Sequence, residues 1–288
     1  MMNSSSRSIF ANVFLLIIGI AIYCILGNSN PSTRLDIFGK SLTSDSLRND
    51  SVCQTKQLGI PKTSNLHNEL IFKHAGFTVG YNPQWKIPNW VVYEINNQQA
   101  IDNLPRYFDI VPDPADTTKN CANVDDYAHS KWTMGFMVPP HDMKWNVQAM
   151  EAAYYTSNIC PQNKSLNMGR WKDLDEYIRV LAKKNGPIYV VCGPLVSNPS
   201  KTIGQHKVAV PDGFFKVLLQ EDKGQWYAVG FRFPNANCRK PLAAYAISVH
   251  DLQDITKMDF FSDIPDSIEN QMENHIDFAQ WKLVSKHK

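Results

Sequence analysis

Short segments rich in β-branched and aromatic residues, separated by turn residues, recur through this 288-residue chain and constrain its fold more than any other feature. Phe77–Tyr81 (FTVGY) and Trp90–Ile95 (WVVYEI) are separated by an Asn82-Pro83 turn and are predicted to pair as strands. Phe214–Leu219 and Trp226–Phe233 are predicted to form a hairpin further along the chain. A β-sheet is therefore expected to form a large part of the fold.

Helical patterns lie between these two strand pairs. Apolar residues recur at helical spacing from about Met168 to Lys184, and a shorter helix is predicted around Asn146–Tyr155. Two further strands are predicted, Pro187–Cys192 and Gly135–Val138, the second of which ends at a pair of prolines. No internal repeat is visible, so the pattern predicts a single mixed α+β domain.

Composition sets the limits of that domain. Residues 28–69 are rich in Ser, Asn, Thr and Asp and are predicted to form a polar linker, which leaves residues 70–288 as the globular domain. Hydrophobic residues make up 43% of the chain, which excludes a disordered protein. The net charge is +2, from 29 basic and 27 acidic residues, so no strong overall attraction to nucleic acid is expected.

The N-terminus carries a long apolar run. Val13–Gly27 contains no charged residue and is preceded by Arg7, so residues 1–27 are predicted to be a signal peptide or an N-terminal membrane anchor. A buried core helix is the alternative for this run. We expect the domain to be exported, as a secreted, periplasmic or membrane-anchored protein.

Five cysteines lie outside the apolar run, which allows at most two disulfides and leaves one thiol over. None of their spacings matches that of a structural zinc site. These cysteines are Cys53, Cys121, Cys160, Cys192 and Cys238.

Three consecutive stretches carry a family resemblance. They are DYAHSKWTMGFMVPPHDM from Asp126, AMEAAYYTSNICPQNKSLNMGRWKDLDEYIRVLA from Ala149, and IYVVCGPLV from Ile188. Together they resemble the DNA/RNA non-specific endonuclease family, and the similarity extends over roughly residues 70–270. The resemblance implies the ββα-metal (His-Me finger) nuclease fold, with a mixed sheet and flanking helices.

The resemblance also implies a mechanism. In this family a histidine that ends a DRGH motif activates water for attack on a phosphodiester, and an asparagine on the following helix holds one hydrated Mg²⁺. An acidic residue on the same helix orients the waters of the metal, and an arginine clamps phosphate. Asn167, Asp175 and Arg106 match these last three positions. From the residues alone, Asn167 could instead be a helix N-cap and Asp175 a solvated carboxylate.

The DRGH motif itself is replaced by Thr133-Met134-Gly135-Phe136. A phenyl ring cannot accept a proton or bind a metal, so no catalytic residue is assigned and impaired catalysis is expected. One alternative is an active Mg²⁺-dependent nuclease that uses His129 or His141 as a displaced base. Another is an exported protein-interaction module that binds through the apolar former pocket. The expected partners are accordingly nucleic acid, a membrane at the N-terminal segment, and a protein.

Overall fold

The computed structural model describes residues 59–63, 69–98, 104 and 107–283, together with two short strands at 34–35 and 41–42. The chain divides into two compact units, Met1–Cys53 and Gln54–Lys288. Within the first unit, β1 (Arg34–Leu35) pairs antiparallel with β2 (Ser41–Leu42). The predicted signal peptide or anchor, most of the predicted linker, Cys53 and Arg106 lie outside the described residues. Within the part that is described, no helix has the length and apolar character needed to cross a membrane.

The second unit combines a large sheet with short helices. Its strands are β3 (Lys62–Thr63), β4 (Leu70–His74), β5 (Phe77–Asn82), β6 (Ile87–Ile95), β7 (Thr133–Phe136), β8 (Ile159–Gln162), β9 (Ile188–Leu195), β10 (Thr202–Ile203), β11 (Val208–Ala209), β12 (Gly213–Asp222), β13 (Gln225–Pro234), β14 (Ala246–Ile247) and β15 (Met258–Asp259). Its helices are α1 (Val147–Ala152), α2 (Lys164–Leu166), α3 (Lys172–Asn185), α4 (Val249–Thr256) and α5 (Asp266–Asn274).

Seven of these strands form the main sheet, in the order β14-β13-β12-β9-β6-β5-β4. The sheet differs in one respect from the expected mixed sheet, because each of its pairings is antiparallel. Tight turns join β4 to β5, β5 to β6 and β12 to β13, and such turns return the chain in the opposite direction. In the turn between β5 and β6, the Asn82 side chain accepts hydrogen bonds from the backbone N–H groups of Gln84 and Trp85, each at 3.0 Å.

The predicted pairing of Phe77–Tyr81 with Trp90–Ile95 and the predicted hairpin are both present. The helices begin and end differently from the prediction. The helix predicted around Asn146–Tyr155 is shorter in the structure, where α1 follows its N-cap Asn146 and ends at Ala152. The helix predicted from about Met168 is preceded by a π-helical turn at Asn167–Trp171, where Gly169 leaves helical geometry. β9 also continues beyond its predicted end at Cys192. Past that residue it pairs only with β12 among the described strands, so Pro194 lies where β9 has a neighbour on one side alone.

Part of the predicted linker belongs to the fold. β3 pairs antiparallel with β15, with Met258 opposite Thr63. The second compact unit spans Gln54–Lys288, and the domain boundary at residue 70 stays a prediction. Two residues are too short a strand to produce a recognisable alternation in the sequence.

Two hydrophobic cores lie on the two faces of the main sheet. Alternate residues of β12 point to opposite faces, as the period of a strand requires. Phe214 and Leu218 pack in the core that contains α3, which we call the α3 face. Phe215 and Val217 pack in the core that contains α4, which we call the α4 face.

Candidate active site

The residues matched to the nuclease motif form a strand–strand–helix unit on the α3 face. β7 pairs antiparallel with β8, with Thr133 opposite Gln162 and Phe136 opposite Ile159. Residues 164–185 follow β8 directly as α2, the π-helical turn and α3. Gly135 lies under the side chain of Gln162, where an added Cβ would come within 2.3 Å of Oε1. A glycine is therefore required at this position, although the three residues around it differ from the family motif.

Asn167 lies against β7. Its Nδ2 donates to Thr133 Oγ1 and to the carbonyl oxygen of Met134, both at 3.1 Å. One helical turn later, Trp171 Nε1 donates to the carbonyl oxygen of Phe136 at 3.1 Å. Four helical residues rise about 6 Å and two strand residues about 6.6 Å, so the two donors match the spacing of the two carbonyls.

Asn167 is not the N-cap of this helix. That role belongs to Asn163, whose side-chain oxygen accepts from the backbone N–H groups of Ser165 and Leu166. Among the described residues, none donates a hydrogen bond to Oδ1 of Asn167. This oxygen is the atom that a ligand role would require.

Phe136 is packed within an aromatic cluster. Its ring meets the ring of Tyr154 edge-on, with centroids 5.6 Å apart, and Phe108 lies 6.0 Å from Tyr154 on another side. Met134 is partly buried against the same core, and Met168, next to Asn167, has 68% of its surface exposed. The position that the resemblance matches to the general base therefore lies in apolar surroundings.

Asp175 is not a solvated carboxylate. Only 7% of its surface is exposed, and Oδ1 forms an ion pair with Nζ of Lys216, a fully buried residue of β12. Nζ of Lys216 also lies 4.2 Å from the ring centroid of Trp171. Burial raises the pKa of Asp175 to about 6, even though the Lys216 ammonium acts in the opposite direction. Asp175, which the resemblance matches to the acidic residue that orients the metal's waters, is thus held by a lysine of the sheet.

A second ion pair lies beside the first. Arg179 Nη1 is 2.8 Å from Oδ1 of Asp142, whose side chain is almost fully buried. Burial raises the pKa of Asp142, and the Arg179 guanidinium opposes that shift. Asp175 and Arg179 are four residues apart on α3, so both lie on the side of the helix that faces the core. Neither pair was expected from the sequence.

The two histidines considered as displaced bases are both exposed. His141 lies in the turn Pro140–Met143, where partial desolvation and then the Arg179 and Lys144 charges lower its pKa. His129 has a left-handed backbone with φ 59°. No hydrogen bond in the described part of the chain joins either imidazole to Asn167.

Sequence reasoning missed a third histidine. His206 Nδ1 lies 2.9 Å from Oδ2 of buried Asp126, and the His206 backbone N–H donates to the same carboxylate at 3.0 Å. Asp126 also caps the turn at Val124–Asp126, through the backbone N–H of Asn123. A carboxylate that orients one imidazole nitrogen and leaves the other exposed is an arrangement found in general bases. The pair comes from residues 80 positions apart, so spacing gave no signal for it.

The side chains at the candidate site meet the requirements of a metal ion only in part. No group of three or more histidine, cysteine, aspartate or glutamate residues is arranged to hold a metal ion within the described ranges. Asn167 can offer one amide oxygen, which is compatible with a hydrated Mg²⁺ that keeps most of its waters. Asp175, which the resemblance matches to the residue that orients those waters, is engaged by Lys216 instead.

Comparison with known proteins agrees with this geometry. Residues 55–267 match the family described as DNA/RNA non-specific endonuclease. The chain is 32% identical over 222 residues to mitochondrial nuclease EXOG of Xenopus laevis, covering 72% of this chain and 61% of that protein. It is 27% identical over 209 residues to human mitochondrial endonuclease G, covering 68% and 69%. The chain spans about three fifths of the length of the EXOG nucleases it matches.

A solved structure shows the same fold. The crystal structure of the EndoG/EndoGI complex matches with a TM-score of 0.64 at 22% identity, covering 70% of this chain and 89% of that one. The strand–strand–helix unit and the antiparallel sheet therefore define a ββα-metal nuclease fold. The chain belongs to the DNA/RNA non-specific endonuclease family, which consists of metal-dependent nucleases.

Proposed function

We propose that this protein is a nuclease-family domain whose own phosphodiester-cleaving activity is impaired. The observation that carries the proposal is Phe136, a packed aromatic residue at the position of the family's general base. Loss of a general base lowers a rate by about 10²–10⁴-fold. Met134 replaces the arginine of the motif and Thr133 its aspartate, and Thr133 Oγ1 is already engaged as a hydrogen-bond acceptor from Asn167.

The proposed ligand is nucleic acid, held without efficient cleavage. The family and the nuclease names of its relatives support this choice. Mg²⁺ is the proposed metal by resemblance, with Asn167 as its only direct protein ligand. Asp175 stays a prediction as a residue of the metal site, and Arg106 stays a prediction as a phosphate contact.

One observation favours residual activity as a second candidate. Asp126 orients the exposed imidazole of His206 as a general base requires, and this histidine joins His129 and His141 as an alternative base. Each can be tested by substitution with alanine. His206 has the strongest structural support of the three histidines, because it alone among them is hydrogen-bonded to a carboxylate of a described residue.

A plasmid-cleavage assay separates impaired from active nuclease. The full chain is incubated with supercoiled DNA and Mg²⁺ or with EDTA, beside Asn167→Ala and the Thr133→Asp, Met134→Arg, Phe136→His triple variant. We expect no cleavage above the Asn167→Ala background by the natural sequence, and cleavage at least about tenfold faster by the triple variant. If the natural chain cleaves the plasmid and Asn167→Ala does not, the proposed impairment is contradicted. If His206→Ala in the natural chain also fails to cleave, His206 is identified as the base.

The exposed apolar residues around Phe136 favour a third candidate, a protein-interaction module. Tyr107 is 66% exposed, and Met168 is similarly exposed beside Asn167. Binding of single-stranded and double-stranded oligonucleotides is measured as salt is varied. Negligible affinity even at low salt would exclude nucleic acid as the ligand and leave the protein-interaction candidate.

A further inference from the structure

A cavity lies at one end of the main sheet and is lined by none of the residues matched to the nuclease motif. It has a volume of about 530 Å³ and opens between the ends of β9, β12 and β13 and the C-terminal end of α4. Arg232 projects into it from β13, opposite Phe215 of the α4-face core. Cross-strand partners share a face, so Arg232 reaches the cavity from the α4 face of the sheet.

Local backbone features keep the cavity open. Gly213 contributes no side chain at the end of β12, and an added Cβ there would meet the backbone oxygen of Phe233 at 2.6 Å. α4 stops at Thr256, where Lys257 takes a left-handed conformation with φ 57° and ends the helix. The helix therefore does not cover the last residues of the strands beneath it. A volume of this size is within the range of about 300–1,000 Å³ found for small-molecule sites.

The walls are mainly apolar and the charged groups are few. Trp85, Leu195 and Ile255 are among the apolar residues that line the cavity. Ile255 is also one of the large apolar side chains that the described surface leaves exposed. Apolar walls that include the indole ring of Trp85 favour a ring system over a polar chain.

The charged side chains that line the cavity are Arg232, Lys257 and Asp212. Arg232 is exposed and has no ion-pair or hydrogen-bond partner among the described residues. Lys257 lies nearby, and within the described part of the chain its ion pair is with Asp254, at 3.9 Å. Asp212 is fixed by Ser197, which donates from its backbone N–H at 2.8 Å and from Oγ at 2.6 Å. The cavity thus offers two cations that can bind an anion and one carboxylate that can accept a hydrogen bond.

We propose that this cavity binds a small flat organic anion, with a carboxylate or phosphate held by Arg232 and a ring N–H or O–H donor directed at Asp212. A guanidinium with no protein partner matches a carboxylate or phosphate in a two-bond arrangement. The apolar walls hold the ring. This site does not rest on the proposed nuclease-family function, because none of the residues that line it is matched to the nuclease motif.

Indole-3-acetate is a suitable probe because it combines a flat ring, a ring N–H and a carboxylate, and indole-3-acetamide is its uncharged counterpart. Binding to the full chain is measured by ligand-observed NMR. We expect Arg232→Gln to weaken the binding of the acetate about tenfold or more, since a charge-assisted hydrogen bond is lost. We expect the acetamide to bind about as weakly to the natural chain as to this variant.

Two further variants complete the test. Ile255→Trp fills the cavity from an exposed position on α4 and is expected to abolish binding without disturbing the fold. Arg239→Gln removes an exposed arginine outside the cavity and is the matched control, expected to bind like the natural chain. Circular dichroism verifies that each variant is folded. The proposal is overturned if the natural chain does not bind the acetate, or if Arg232→Gln and Ile255→Trp bind it unchanged.

Discussion

At the scale of single residues, Lys216 determines how the candidate site is built. It is fully buried, pairs with Asp175 and contacts the ring of Trp171, so it links β12 to α3 and to the residue that donates to the Phe136 carbonyl of β7. A buried charge is tolerated only when it is paired, because the loss of hydration is otherwise uncompensated. The Lys216–Asp175 pair is therefore expected to behave as a unit.

Lys216→Met should destabilise the protein by about 3–5 kcal/mol at pH 8, because it leaves the Asp175 carboxylate buried without its partner. The double variant Lys216→Met, Asp175→Leu removes both charges and should recover most of that loss. Guanidinium unfolding midpoints measure both effects. Equal midpoints for the single variant and the natural chain would show that the pair does not hold the structure.

At the scale of elements, α3 and the turn before it are joined to β7 by side chains that donate to strand carbonyls. Asn167 and Trp171 supply these donors at the spacing of one helical turn. The Asn167 amide can therefore have two roles that use different atoms. Nδ2 fixes the strand, and Oδ1 is left for a ligand.

Asn167→Ala should lower the free energy of unfolding by about 1–2 kcal/mol in EDTA, since both Nδ2 hydrogen bonds are lost when no metal can bind. Met168→Ala is the matched control, because it truncates the exposed neighbouring side chain and should leave the stability nearly unchanged. Thermal unfolding of the two variants and the natural chain gives the comparison. A full loss of cleavage in the triple-variant background without any change in stability would assign Asn167 to the ligand role alone.

The sequence predicts the elements of this fold better than the contacts between them. The β5–β6 pair and the β12–β13 hairpin could be predicted because alternation and turn residues are local signals. The burial of Asp175 could not be predicted in this way, because its partner Lys216 lies 41 residues away on a strand. Phe136 shows the opposite case. Its match to the motif histidine rests on the resemblance alone, and the structure adds what its ring contacts.

At the scale of the whole molecule, the two faces of the sheet differ in whether their buried carboxylates are paired with a cation. The α3 face buries carboxylates that are paired with Lys216 and Arg179. On the α4 face, Glu273 of α5 is only 6% exposed and has a hydrogen bond from Gln253, and no described residue forms an ion pair with it. Burial and the neighbouring Glu269 raise the pKa of Glu273 to about 7, and Asp259 adds to the shift.

The pH dependence of stability follows from the direction of that shift. Glu273 has a higher pKa in the folded protein than its usual value of 4.5, so the folded state binds its proton more tightly than the unfolded state does. Its contribution is fully present below about pH 4.5 and is lost as the pH rises to about 7. The loss is on the order of 3 kcal/mol, because each unit between pKa 4.5 and about 7 corresponds to about 1.4 kcal/mol. Asp175, whose pKa is also raised, contributes in the same direction.

Glu273→Gln separates the two contributions, because Asp175 is present in both proteins and cancels in their difference. A glutamine keeps an oxygen for the Gln253 donor and presents an N–H₂ group, not a second charge, to Glu269. We expect the variant to gain stability relative to the natural chain as the pH rises from 5 to 8, and to be the more stable protein at pH 8. Glu176→Gln, on the exposed side of α3, is the control and should give no such trend. Melting temperatures across this pH range test the prediction, and a constant difference between Glu273→Gln and the natural chain would show that Glu273 does not titrate in the folded protein.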